Sequence, residues 1–150
     1  MKLKKLAALV CGTMVLSTSV SFATVPDSKI SIGKVEPGMA VADLVNAYGQ
    51  PIKKFGDNWY YSNFVVEVDM KDAPTKVEDV SSRNNTLGTM SGVTVGQDAS
   101  VLNAAYGQAD NIRLNGNVEE YEYFNDNYTK KMKFTVLNQV IVKIKCSTVD

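Results

Sequence analysis

A chain of 150 residues that is 45% hydrophobic and 21% charged has the make-up of one ordinary globular domain, or of two very small units sharing a core. Its 16 basic and 16 acidic side chains cancel, which argues against a nucleic-acid binder, since phosphate neutralisation needs a concentrated excess of Lys and Arg. The chain has no histidine, so the usual base of a Ser or Cys nucleophile and the commonest neutral metal ligand are both missing.

In chain order, Lys2, Lys4 and Lys5 precede an apolar run over 6–20, and Ser21 and Ala23 place small residues where a signal peptidase reads. This is the three-part plan of an export signal over 1–23, with cleavage expected after Ala23. The run, diluted by Ser, Thr and Gly, falls short of the ~20 apolar residues that span a bilayer, so no stable membrane span is expected after cleavage. Cys11 lies within the signal, behind Ala8, Leu9 and Val10, a poor lipoprotein signature, and is expected to be discarded with it. Loss of the three lysines leaves a small acidic excess. Cys146 then remains without an intramolecular disulfide partner and is expected to be buried and inert. The location expected is periplasmic or extracellular.

The remaining chain uses one stretch twice. Residues 35–50 and 93–108 share Val, Gly, Leu, Ala, Tyr, Gly and Gln at identical spacing. In the first copy Val41, Leu44, Val45 and Tyr48 form one apolar helical stripe, and in the second Ala99, Leu102 and Tyr106 match it, with Asp98 placed as an N-cap. Gly49 and Gly107 close the two helices, and Gly38 and Gly96 mark their tight entries. Helices this short need a sheet to lie on. Strands are predicted over 52–55, 59–62, 64–70 and 76–82, and again over 111–114, 119–124, 128–137 and 138–146, with polar turns around Gly56, Asp72 and Asn115. The resulting expectation is an α+β fold of two tandem repeats, 24–85 and 86–150. Each repeat is a short helix packed on a four-stranded antiparallel meander, and the two form one continuous curved sheet.

A Val-x-x-Gly entry, a short helix ending in Tyr-Gly and a four-stranded meander, used twice, resembles the β-lactamase-inhibitor-protein family. Each copy is also similar to the small lipoprotein subunit of the outer-membrane β-barrel assembly machine. Gly38, Met39, Val41, Leu44, Tyr48 and Gly49 carry the resemblance, with Val93 and Gly96 in the second copy. It implies that Gly56, Asp57, Asn58, Trp59, Tyr60 and Tyr61 form the aspartate-and-tyrosine hairpin such inhibitors push into an enzyme cleft. The disulfides of those inhibitors are impossible here, and Gln97 stands where they carry Met.

For chemistry, the carboxylates Glu119, Glu120 and Glu122 sit on one strand. Acids in that arrangement are expected to be a solvated strand exterior. Asn125, Asp126 and Asn127 suggest a hairpin turn more than a calcium loop. No catalytic residue, metal ligand or cofactor is therefore expected. Aromatic hairpins are the sharper signal: Trp59, Tyr60 and Tyr61 beside Asp57, and Tyr121 and Tyr123 in the second copy. Strand alternation puts Tyr60 opposite Trp59 and Tyr61. The expected function is a non-enzymatic module that binds another protein in the envelope or extracellular space, with inhibition of an enzyme as one form of that binding. Alternatives are a cell-envelope structural or outer-membrane assembly accessory role, and more distantly a small-ligand or lipid binder.

Overall fold

The structure, a computed structural model, describes residues 24–71 and 74–149. The export signal and Cys11 lie outside these residues, as do Asp72 and Ala73 of the polar turn. Eight strands form a single antiparallel sheet: β1 (Lys53–Phe55), β2 (Asn58–Tyr60), β3 (Val65–Val68), β4 (Val77–Ser82), β5 (Asn111–Asn115), β6 (Val118–Phe124), β7 (Lys130–Leu137) and β8 (Val140–Thr148). Their spatial order is β1-β2-β3-β4-β8-β7-β6-β5, so the first and second halves of the chain meet where β4 pairs with β8.

The described residues form two α-helices, α1 (Val41–Tyr48) and α2 (Val101–Tyr106). Only α1 exceeds six residues, which corrects the expected architecture: the protein is mainly β, and not two units of a helix with a four-stranded meander. Part of the reason lies at Asp98. Its side chain accepts the Ser100 N–H at 2.9 Å, so residues 98–100 form a turn that leads into the helix, which begins only at Val101. The sheet, continuous through the β4–β8 pairing, supplies most of the regular structure.

One face of the sheet is apolar because Val and Ile alternate with charged residues along the inner strands. Val66, Val80, Met132, Phe134, Ile141, Ile144 and Cys146 are all fully buried there. Leu44, Leu102 and Tyr106 close the same core from the helices. A third contributor has no counterpart in the predicted elements: Ile30, Ile32 and Val35, just after a single 3-10 turn (Asp27–Lys29), are fully buried. This N-terminal strap is fastened by Asp27, which binds Lys130 at 2.8 Å and Asn125 at 2.8 Å. Asn125 is itself buried and also reaches Asn127 and Thr129, so the 125–127 tripeptide is a polar joint as well as a turn.

Backbone pairs at the helix entries hold α1 and α2 over the sheet. The Gly38 N–H donates to Val77 O at 2.7 Å while Val77 N–H donates to Met39 O; likewise Gly96 N–H reaches Ile141 O and Ile141 N–H reaches Gln97 O. Each helix is thus tied to the first turns of a central strand, β4 or β8. At the helix exits, Gly49 and Gly107 have φ of 77° and 78° with ψ of −166° and −156°, a region open to glycine and closed to residues with a Cβ. They are glycine-dependent exits, though not in the left-handed helical conformation usual for a C-cap. Tyr48 occupies the space beside Gly33: its hydroxyl accepts the Lys34 N–H at 2.9 Å, and a Cβ on Gly33 would come within 2.5 Å of that oxygen.

Candidate functional site

The aromatic residues singled out by sequence do not form one surface. In the β1–β2 hairpin, Trp59 lies on the helix-covered face, is 5% exposed, and carries the Lys54 ammonium 3.7 Å from its ring centroid. Tyr61 is half-buried, stacks on Phe64 at 4.6 Å and donates to Gly49 O at 3.2 Å. Burial holds its phenol above the ordinary range. It acts as a wedge between the α1 exit and the β2–β3 turn. Tyr60 points to the opposite face, opposite Lys53 and Val65, and remains exposed. Asp57 sits in the turn, where its carboxylate accepts the Asn58 side-chain amide at 2.9 Å and its carbonyl accepts the Val68 N–H. Of the residues that sequence singled out in this hairpin, Tyr60 and the Asp57 turn remain open to a partner, and Phe55 of β1, which it did not single out, is exposed as well.

The β6 aromatics lie five strand positions away, roughly 24 Å at ~4.8 Å per strand. Tyr123 is buried against Tyr106 and Phe134, and burial pushes its phenol up to about 12. Tyr121 is half-buried and donates to Glu119 at 2.6 Å. That hydrogen bond, with burial second, raises the Tyr121 phenol. Glu122 departs from the solvated exterior expected of it: it is 3% exposed, 3.7 Å from Arg113 and 3.4 Å from the Asn111 amide.

Tyr121 and Glu119 instead help line a cleft of about 430 Å³ beneath α2, together with Leu102, Asn103, Ile112 and Gln139. The cleft exists because α2 is too short to reach the edge of the sheet. Every residue of the edge strand β5 is exposed, and Ile112 and Leu114, which share the helix-side face with Tyr121 and Glu119, are 54% and 75% exposed. The opposite edge is guarded differently. β1 is only three residues long and carries Lys53 and Lys54, the usual blunting devices of an edge strand. On β5 the single charge, Arg113, is turned to the far face and drawn back to Glu122. Sequence reasoning missed Ile112, Leu114 and Glu119 as a set. Their alternation was visible, but an edge strand and a central one look alike until the pairing order is known.

Among the described residues, no three His, Cys, Asp or Glu side chains converge as a metal site would require, and no helix is long and apolar enough to cross a membrane. Cys146 is fully buried, and burial pushes its thiol far up, so it is not a reactive group in the folded chain.

No family model matches the chain, and no curated protein matches it. Among solved structures, the fold is similar to that of a DUF4309 family protein (YjgB) from Bacillus subtilis subsp. subtilis str. 168, with a TM-score of 0.51 and 16% identity over 85% of this chain and 88% of that one. An extracellular protein containing a SCP domain from Bacillus anthracis str. Ames also matches, with a TM-score of 0.48 and 11% identity over 99% of this chain and 50% of that one. A cysteine-rich secretory protein from Staphylococcus aureus subsp. aureus Mu50 matches with a TM-score of 0.49 and 12% identity over 84% of this chain and 47% of that one. The chain thus spans about half the length of the latter two, and none of the three is described as an enzyme inhibitor or an assembly-machine lipoprotein.

Proposed function

We propose that the chain is an exported, non-enzymatic protein-binding module whose docking element is the free edge of β5 together with the cleft beneath α2. The observation that carries this reading is the uncovered edge strand: five consecutive exposed residues, with Ile112 and Leu114 open on the side where the cleft begins. Such an edge offers unpaired backbone donors and acceptors to an extended segment of another protein, which adds as a further strand. Pockets for alternate side chains then supply specificity. The partner segment would set apolar side chains against Ile112 and Leu114. Asp98 and Glu119 line the cleft, so it favours a basic or amide side chain from the partner. Export rests on the basic, apolar and small-residue plan of residues 1–23.

The test is selection from a displayed library of extended peptides, followed by affinity measurement on the enriched sequences. Peptides with alternating apolar residues are expected to enrich over a composition-matched scrambled pool. Ile112→Lys and Leu114→Lys should each weaken them by about tenfold or more, whereas Tyr60→Ala should leave affinity unchanged. Absence of enrichment, or equal binding by the two lysine variants, overturns the edge-docking reading.

A further inference from the structure

The open face of the sheet, opposite the helices, carries a second feature that the edge of β5 does not involve. Four lysines project from the two central strands: Lys131 and Lys133 from β7, and Lys143 and Lys145 from β8. Lys133 and Lys145 stand directly opposite each other, an arrangement that costs stability unless each charge is answered. Both are: Lys133 meets Glu120 at 3.3 Å and Lys145 meets Asp79 at 2.5 Å. Lys143 is different. Among the described residues neither it nor Arg83 forms a salt bridge, although Lys143 is half-buried. The Ser82–Ile144 pair is the last of the β4–β8 ladder, and the next step of that register brings Arg83 beside Lys143.

These two cations line a cleft of about 380 Å³ between the β2–β3 turn and the β4–β8 seam. Its polar wall is Ser81, Asn63 and Asn84, and its apolar floor is Phe64 and Val65. The frame is held from below by Ser82, a buried residue whose hydroxyl donates to Asn63 O at 2.8 Å and accepts the Asn84 N–H at 3.1 Å. The turn and the strand exit are thereby pinned to one atom, so the gap between them is preformed. A preformed cleft with two unanswered cations and flanking amide and hydroxyl groups has the chemistry that recognises an oxyanion.

We propose that the Arg83–Lys143 cleft is a binding site for an oxyanion group, either a phosphate ester or a carboxylate. Arg83 supplies the planar fork and Lys143 a point charge from the opposite strand. The groups facing Lys143 are Arg83 on the β4 side, Lys133 on the β7 side, and Lys145 and Asp79 further along the face. Burial first, and then the neighbouring cations, hold the Lys143 ammonium below its ordinary range. A bound anion reverses that electrostatic deficit and gives the site a spectroscopic signature.

The experiment titrates the protein with inorganic phosphate in one arm and benzoate in the other. Ionic strength is held constant, since screening alone would mimic weak binding. The Lys143 side-chain NMR resonance is followed across pH at each ligand concentration. Saturable binding in one arm is expected, with the Lys143 titration moving up toward the usual lysine range. Saturation with phosphate assigns the site to phosphate esters, and with benzoate to carboxylates. Lys143→Met and Arg83→Gln should each weaken binding by about tenfold, while Lys131→Met, on the same face but outside the cleft, should not. Thermal unfolding of the variants separates loss of binding from loss of fold. No saturation in either arm, or undiminished affinity in folded Lys143→Met, overturns the proposal. The edge of β5 plays no part in either outcome.

Discussion

Glu67 and Asp79 stand directly opposite each other on the open face, and two carboxylates so placed repel. Burial, and then the facing Asp79 carboxylate, hold the Glu67 carboxyl above its ordinary range. A carboxyl whose folded value is raised contributes most when protonated, below its unfolded value of about 4.5, and that contribution disappears as pH rises through the folded value. At neutral pH the charged pair is therefore a net cost. Glu67→Gln is expected to raise stability by about 0.2–1 kcal/mol at pH 7 and low salt, with the gain shrinking toward zero below the carboxylate range. Urea denaturation of the two proteins at both pH values checks it. Trp59 gives a convenient probe, since it is the only tryptophan and is buried in the core.

At the scale of elements, the short helices are held by their ends more than by their own length. α2 is led in by the turn that Asp98 makes with Ser100, whose side chain first and backbone N–H second lower the Asp98 carboxyl below its usual value. A depressed carboxyl contributes stability above its unfolded value of about 3.8 and loses it as pH falls through the folded value. Asp98→Ala is thus expected to lower the melting temperature at pH 7, with the gap to the parent protein closing under acid conditions. Scanning calorimetry at several pH values would show it; a constant gap would mean the residue acts through packing. The same element explains the exposed edge. A six-residue helix tied to β8 at Gly96 covers β7 and β6 but leaves Ile112 and Leu114 of β5 bare.

Across the whole molecule, the N-terminal strap joins elements far apart in sequence. Ile32 pairs with both Val35 and Thr89, and Val25 bridges to Asn125. Such contacts make the strap part of the single core and not an appendage to the first four strands. Ile32→Ala should therefore destabilise the entire sheet, by about 2–5 kcal/mol, in one cooperative transition. Trp59 emission on β2 and circular dichroism of the whole sheet should report the same midpoint. A separate early transition would instead mark the strap as an independent unit.

Much of this was written in local sequence. Period-two alternation gave the buried side of β3 at Val66 and Val68 and that of β8 at Ile144 and Cys146, and the positions of Leu44, Leu102 and Tyr106 gave the helix faces that close the core, because both patterns follow from backbone geometry alone. Alternation failed at the start of β8, where a register shift skips Val142 and turns Ile141, not Val140, into the core. Strand alternation also separated Tyr60 from Trp59. What local pattern does not carry is which strand lies at the edge, how far a helix reaches across its sheet, and which charges end up answered. Trp59 and Tyr123 have the composition of interface anchors, yet both are buried, Trp59 beneath the Lys54 side chain and Tyr123 against Tyr106 of α2 and Phe134. Ile112 and Leu114 have the composition of a core, yet among the described residues no neighbour covers them. Lys143 and Lys145 alternate identically in sequence, and only the pairing of β8 with β4 and β7 gives Lys145 a carboxylate and Lys143 the cationic company of Arg83. Sequence by itself determined the elements and their apolar faces, because these depend on residues a few positions apart. The tertiary structure decided the edges, the clefts and the unanswered charges, because each depends on partners brought together from distant parts of the chain.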